Sequence, residues 1–384
     1  MVLFLHNRYR STGGEERAVE DLMWLVREHL GEPAELLERD SASLSRGRAA
    51  AGLLRGGLAP EDVVRAVRIT GARVVHAHNL QPAFGWRALA AARSAGARVV
   101  LHLHQYRLVC AIGVCFTRGA ECTRCHGRDT LPGVRLNCRA SAGEALAYGV
   151  SLAMWQRRLV EQADAVIVPS VFARERLREL GAPLRWERVH VLAPPVRESV
   201  LGSGADESDE SDRPSSHTAM GAYALVVARL APEKGVDVAI DACRIAGMPL
   251  VIAGDGPQRA ALIERAGDGA VRFAGRVDDG ELASLRAGAA IALAPSRAGE
   301  TFGLSAAEAM AAGLPVAASR VGALSELLEP DALVPAGDPR ALAEAILRLR
   351  GDRAAGERGR ERVRSLCAPE VVARALAEVY DAST

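Results

Sequence analysis

The sequence predicts an α/β protein of two domains, each a doubly wound parallel sheet with helices on both faces. Short, almost wholly apolar runs recur along both halves of the chain, as strands buried on both faces require, and helical stretches separate them. Between the halves, residues 201–219 hold almost no apolar side chain and concentrate Asp, Glu, Ser and Gly, a composition that cannot bury enough surface to order itself. With 384 residues and 49% hydrophobic content, the chain is long enough for two cores of ordinary size.

Residues 1–5 read as the first strand, the loop from His6 to Glu15 as a glycine-containing turn, and 17–29 as a helix. A helical stretch over 49–69 breaks near Gly56 and Gly57, and 72–77 and 98–103 read as two further buried strands. A long helix is expected over 143–162, a strand over 165–169, and a helix over 172–180 capped by Ser170. Beyond the 201–219 linker, strands are expected at 222–228, 250–253, 271–274, 291–294, 316–319 and 332–335, and a last helix at 369–380. The domains therefore span 1–200 and 220–368.

Composition excludes several functions. A formal net charge of +1 supplies no field for nucleic acid, and no apolar run approaches the roughly 18 residues of a membrane span. The start, Met1 to His6, is too short for the apolar core of a signal peptide and is soon followed by Arg8 and Arg10, so a cytoplasmic location is expected.

The chemistry concentrates in Pro295 to Ser319. The strand ending at Ala294 leads through a polar loop into a helix over 304–312 stopped by Gly313, which places Glu300 in a strand-to-helix loop and Glu308 inside the helix. The N–H groups of its first turn, around Thr301, Phe302, Gly303, Leu304 and Ser305, form a positive end suited to a phosphate or a sugar hydroxyl. Lys234 is the only lysine in a chain that otherwise writes its cations as arginine, which points to a site needing a compact ammonium donor. With Arg229 it follows the first strand of the second half, where two cations fit a diphosphate. Gly13 and Gly14 ahead of the first helix, and Gly254 in the turn Gly254-Asp-Gly256-Pro257, permit close backbone approach to a ligand. His76 and His78, and likewise His102 and His104, alternate at period two, so each pair shares a face, while His6, His78 and His104 fall at strand carboxyl ends.

The segment Glu300-Thr-Phe-Gly-Leu-x-x-x-Glu308-Ala-Met-Ala-x-Gly313-x-Pro315-Val316 resembles the signature of the retaining nucleotide-sugar glycosyltransferases of family 4 (glycosyl transferases group 1). Arg229-Leu-Ala-Pro-Glu-Lys234-Gly235, the Gly13-Gly14-x-Glu16 loop and Leu103-His104-Gln-Tyr-Arg-Leu-Val-Cys110 are similar to elements of the same family. The resemblance implies the GT-B fold, two such domains facing across a cleft, with the C-terminal helix 369–384 returning to the first domain. It implies transfer from a nucleoside-diphosphate sugar, UDP first and GDP next, to a carbohydrate, lipid-linked or small secondary-metabolite acceptor. No divalent metal is then expected for donor binding and no cofactor for catalysis, since Arg229, Lys234 and helix N–H groups would neutralise the departing diphosphate. By the same resemblance Glu300 bonds donor-sugar hydroxyls, Glu308 the ribose, and His104 the donor sugar, leaving His6 and His78 on the acceptor side. A phosphorylase using Lys234 for pyridoxal phosphate and a catalytically silent sugar-nucleotide-binding subunit remain alternatives. Trp155, Arg157 and Arg158 leave peripheral membrane contact open, and the oligomeric state is not legible.

Five of the seven cysteines fall between 110 and 138, as Cys110, Cys115, Cys122, Cys125 and Cys138. Clustering in an intracellular chain argues for metal over disulfides, and Cys122-x-x-Cys125 has the spacing of a tetrahedral zinc turn. One branch of the family carries cysteines at the positions of Cys110, Cys122, Cys125 and Cys138, which implies a structural zinc held by those four, with Cys115 extra. Free thiols, a disulfide, iron–sulfur or a c-type haem through Cys122-Thr-Arg-Cys125-His126 stay open.

Overall fold

The computed structural model describes residues 1–9, 13–201 and 223–382. Apart from Leu201, the expected linker lies outside the described residues. The chain divides into two compact units, Met1–Pro195 with Pro369–Thr384, and Val196–Ala368.

The first unit holds strands β1 (Val2–Arg8), β2 (Ala34–Asp40), β3 (Val74–Ala77), β4 (Arg98–His102), the short β5 (Phe116–Thr117) and β6 (Ala120–Glu121), β7 (Ala165–Val168) and β8 (Val189–Val191). Six of these form a parallel sheet in the order β2-β1-β3-β4-β7-β8, while β5 and β6 pair antiparallel. The period-two rule sorts its side chains into two cores. Leu3, Leu5, Val75, Val99 and Leu101 pack with Val63, Val67 and Leu89 from helices Pro60–Thr70 and Gly85–Ser94. Val2, Phe4, Val74, Val100 and Ile167 face the other way, against Leu22 and Val26 of helix Gly14–Glu28 and Val372, Leu376 and Val379 of helix Pro369–Asp381. The C-terminal helix is thus part of the first unit's core. It also bonds there through Tyr380 to His76 and through the Val379 carbonyl to Arg98.

Several elements escape the sequence pattern, among them β5, β6 and the short helix Leu131–Arg135. β2 buries only Ala34, because as an edge strand it carries Glu35 and Glu38 toward solvent and shows no apolar run, while Arg39 turns in to the Leu58, Ala59 and Ala83 carbonyls. β8 is a three-residue edge, and the alanine-rich helix Gly85–Ser94 lacks a strong apolar stripe. β1 also runs on to Arg8, so His6 sits inside the strand, opposite Glu38, and not at its end.

The second unit holds β9 (Tyr223–Val227), β10 (Leu250–Ala253), β11 (Val271–Gly275), β12 (Ala289–Ala294), β13 (Val316–Ser319) and β14 (Leu333–Val334). They form a parallel sheet in the order β11-β10-β9-β12-β13-β14. Strand order reverses between β1 and β3 in one unit and between β9 and β12 in the other. At such a switch point the flanking loops diverge and leave a crevice at the carboxyl ends of the strands, where ligands of open α/β sheets bind.

Leu376 is fully buried in the core shared with Phe4 and Val100. Leu376→Ala should cost about 2–5 kcal/mol, read as a lower urea midpoint, and an unchanged midpoint would show that this helix does not dock.

Candidate functional site

In the second unit, the loops after β9 and β12 meet at the switch point. Gly235, with φ 62°, lies so close to β12 that a Cβ there would stand 2.1 Å from the Pro295 carbonyl oxygen, so only glycine lets the two loops close on each other. That approach brings Lys234 Nζ to Glu300 Oε1 at 2.6 Å, and Ser296 Oγ donates to the same oxygen at 2.5 Å. Gly322 performs the same service behind Glu300, whose carbonyl accepts from Ala323 N–H at 2.9 Å. Burial alone would raise the Glu300 carboxyl, but Lys234, Ser296 and Arg229 overcome it and hold it below its ordinary value. Arg229 pairs with Glu233 and leaves 43% of its side chain exposed, and Arg297 grips Asp237 through two bonds of 2.7 and 2.6 Å.

Helix Leu304–Ala311 begins at Gly303, whose φ of 96° turns the chain, with Phe302 buried behind it. Its first N–H groups have no carbonyl one turn back. Glu308 lies in the buried part of this helix and forms an ion pair with Arg286 of helix Asp279–Gly288, both nearly sealed from solvent. Sequence reasoning missed Arg286. Its only signal is a lone arginine just before the apolar run of β12. Gly254 has φ 136° and sits 1.9 Å, measured from a would-be Cβ, from the Ala228 carbonyl oxygen, which ties β10 to the Arg229 loop.

In the first unit the histidines form one stacked column. Adjacent ring centroids are 4.5 Å apart for His76 and His78 and 4.1 Å for His102 and His104, with Phe4 stacked on His76. Tyr380 Oη lies 2.7 Å from His76 Nδ1, His76 Nε2 lies 3.2 Å from His102 Nδ1, and His78 Nδ1 lies 2.7 Å from His104 Nε2. One proton per ring satisfies these contacts in either direction, so the column is built for neutral imidazoles. The ligand atoms of His76, His78 and His102 all lie within 4.8 Å of one another. His76 and His102 already spend nitrogens on each other and His78 spends Nδ1 on His104, in bonds that run side by side between the β3 and β4 histidines and not along the stacks.

Acids crowd the same end. Glu16 accepts from Gly13 N–H at 2.7 Å and Tyr9 N–H at 3.2 Å, capping helix Gly14–Glu28, with His6 Nε2 at 3.8 Å. Glu15 accepts from Tyr9 Oη at 2.7 Å and Gln105 Nε2 at 3.0 Å. The Gly13 N–H is therefore spent on a carboxylate, and a Cβ on Gly14 would meet open space, so neither glycine is held by close backbone approach. Burial lowers the His104 imidazolium's affinity for its proton, and Glu15 and Glu16 oppose that effect in part.

Cys110, Cys115, Cys122, Cys125 and Cys138 line one small cavity under β5 and β6. Cys115, extra by the family resemblance, belongs to the group: its thiol bonds to Cys110, and this contact, with backbone N–H groups outweighing burial, brings Cys110 down to about 6. Cys138 Sγ lies 3.8 Å from Thr117 Oγ1. Trp155, open to a membrane role by sequence, donates to the Leu54 carbonyl at 3.1 Å and packs on Trp86. Among the described residues, no helix is long and apolar enough to cross a membrane.

Residues 13–195 match the family model described as a glycosyl transferase 4-like domain, and 221–352 the model described as glycosyl transferases group 1. The chain is 35% identical over 198 residues to the GDP-mannose-dependent alpha-(1-6)-phosphatidylinositol dimannoside mannosyltransferase of Mycobacterium tuberculosis, covering 49% of this chain and 50% of that one. It is 34% identical over 241 residues to the glycogen synthase of the same species, covering 58% and 55%. The matched segments thus span about half the length of these curated relatives. Among solved structures, Anabaena Alr3699/HepE in complex with UDP aligns over 100% of both chains with a TM-score of 0.63 at 19% identity, which shows a shared fold.

The histidine column makes the first unit acid-labile. Burial pushes His76 down to about 3, with His104 adding to it, and lowers His78 and His102 as well. An unfolded histidine titrates near 6.5, so below that pH the unfolded chain binds more protons and stability falls as pH drops through the window toward 3. The urea midpoint should hold above pH 6.5 and decline below it, by up to about 1.4 kcal/mol per pH unit for each buried histidine. A midpoint flat from pH 7 to 5 would contradict a neutral column.

Proposed function

Because the chain belongs to the group 1 glycosyltransferases and takes their two-domain GT-B fold, we propose that it moves a hexose from a nucleoside-diphosphate sugar to an acceptor hydroxyl with retention of anomeric configuration. The observation that carries this reading is the Lys234–Glu300 contact at the β9/β12 switch point, where a cation and a carboxylate stand beside the open N-terminus of helix Leu304–Ala311. Lys234 and Arg229 would take the diphosphate, and the N–H groups from Thr301 to Leu304 would bond its oxygens, so charge developing on the leaving group meets fixed donors without a divalent metal. Glu300 would accept from donor-sugar hydroxyls, and Glu308, held by Arg286, from the ribose; Gly254 would let the backbone lie against the nucleotide. His104 would approach the donor sugar, with His78 and His6 behind it. Gly13 and Gly14 retain a place beside the donor only through flexibility, since Glu16 already caps that helix.

UDP remains the first base to test and GDP the second: the Anabaena neighbour is named with UDP and the M. tuberculosis relative as GDP-mannose-dependent. The relatives' names support lipid-linked and polysaccharide acceptors alike, and a cytoplasmic location suits use of a nucleotide sugar. We further propose that Cys110, Cys122, Cys125 and Cys138 hold a structural zinc. Soft thiolates around one cavity suit that ion, which would pin the segment from His104 to Cys110 without entering the reaction.

Lys234→Ala should lower kcat/KM by about 100-fold, the scale of a lost transition-state donor, while the urea midpoint moves little. Unchanged kcat/KM in a nucleotide-sugar transfer assay would remove Lys234 from the site. Glu308→Gln, which keeps a polar group against buried Arg286, should weaken binding of UDP or GDP by calorimetry, and equal affinity in mutant and wild type would refute its role at the nucleotide. For the cysteines, elemental analysis should find near-stoichiometric zinc, and Cys122→Ser should lose both the metal and several degrees of melting temperature. Metal-free protein with unchanged melting would leave free thiols or a disulfide.

A further inference from the structure

The first unit contains a second feature that the donor chemistry does not use. Beyond the His78 and His104 rings a pocket that opens to solvent runs between helices Arg46–Arg55, Gly85–Ser94 and Ala142–Glu161. Its walls are mostly apolar, formed by Leu53, Leu103, Leu108, Leu152, Trp86 and Trp155. The indoles lie 5.9 Å apart with the Arg158 guanidinium 5.3 Å from each.

Set into these walls are polar atoms that are buried and have no hydrogen-bond partner among the described residues: His78 Nε2, Gln81 Oε1, Trp86 Nε1, Arg107 Nε and Gln156 Oε1. His78 and Gln156 are only 3% and 2% exposed. An unmet buried polar atom costs about 1–3 kcal/mol, so a group of them around one cavity marks where a ligand's own polar groups belong. Two are acceptors, Gln81 and Gln156, and two are donors, Trp86 and Arg107. They match a molecule with a hydroxyl to donate and a carbonyl or ether oxygen to accept. Glu15, Asn79, Gln105 and Ser151 also reach the lining but are already bonded within the chain, so a sugar ring, with hydroxyls on nearly every edge, would turn several of them to leucine and indole carbon. An apolar ring system with few oxygens loses nothing against those walls and gains stacking on the indoles.

We propose that this pocket binds the acceptor, and that the acceptor is a compact, largely apolar aromatic or alicyclic alcohol bearing few oxygens, its reactive hydroxyl directed to the His78 and His104 end. This rests on the glycosyltransfer reading above and narrows its acceptor to the small-molecule class.

4-Methylumbelliferone, two fused rings with one hydroxyl and one lactone carbonyl, is the probe, with methyl α-mannopyranoside and dodecanol as the carbohydrate and lipid arms. By calorimetry on the full chain the probe should bind saturably, and the other two should neither bind nor compete. Leu152→Trp, which fills the pocket, should weaken probe binding at least tenfold. Trp86→Phe, which keeps an aromatic wall and deletes one donor, should weaken it about fivefold, so the test survives if the first variant fails to fold. No saturable probe binding, affinity unchanged in a folded variant, or preferential binding of the mannoside or the alkyl alcohol would each overturn the proposal. UDP and GDP binding is measured on the same samples: loss of nucleotide binding in wild type with the probe still bound would count against glycosyltransfer and leave the pocket standing.

Discussion

A parallel sheet covered on both faces can hold polar side chains inside its strands only where they are bonded to one another, so unpaired polar groups gather in the loops at the strand ends. In this protein that constraint is nearly complete: β3, β7, β10 and β13 are buried along their whole length. Every donor-site candidate in the second unit consequently lies in the loops after β9, β10 and β12 or on the helix that follows. The reversal of strand order between β9 and β12 decides which two loops become neighbours. Lys234 and Glu300, 66 residues apart, are brought together by it.

Polar groups that the fold does bury are tied down in pairs. Arg286 and Glu308 compensate each other inside the second unit, where removing either partner would leave a buried charge at a cost of about 3–5 kcal/mol. The histidines solve the same difficulty with neutral groups, Tyr380 bonding to His76 and His76 to His102, with His78 and His104 as a separate pair. Because Tyr380 comes from the C-terminal helix, the column ties both ends of the chain to one core. The apolar pocket is the exception, with unmatched polar atoms set into its walls.

Glycine supplies the geometry at the few places where loops must touch. Gly235 against Pro295, Gly254 against Ala228 and Gly322 against Glu300 each hold a separation that a Cβ would forbid. These residues bind nothing by their own side chains. Their effect is to fix how far Lys234, Arg229 and Glu300 stand from one another, so the electrostatics of the site depends on backbone packing.

The sequence by itself determined the fold class, the position of most strands and helices, and the candidate donor residues. These are local properties: apolar period, turn residues, a solitary lysine and a Glu-x7-Glu segment are each read within a few residues. Edge strands such as β2 escaped, because an edge must carry charge and so loses the apolar pattern. Only the tertiary structure decided that Arg286 holds Glu308, that Glu16 occupies the Gly13 N–H, that Cys115 joins the other four cysteines, and that Trp155 faces Trp86. The Arg286–Glu308 and Trp86–Trp155 contacts join segments whose separation in the chain carries no information about distance. Strand order and helix packing set that distance, and neither is written in any one stretch of residues.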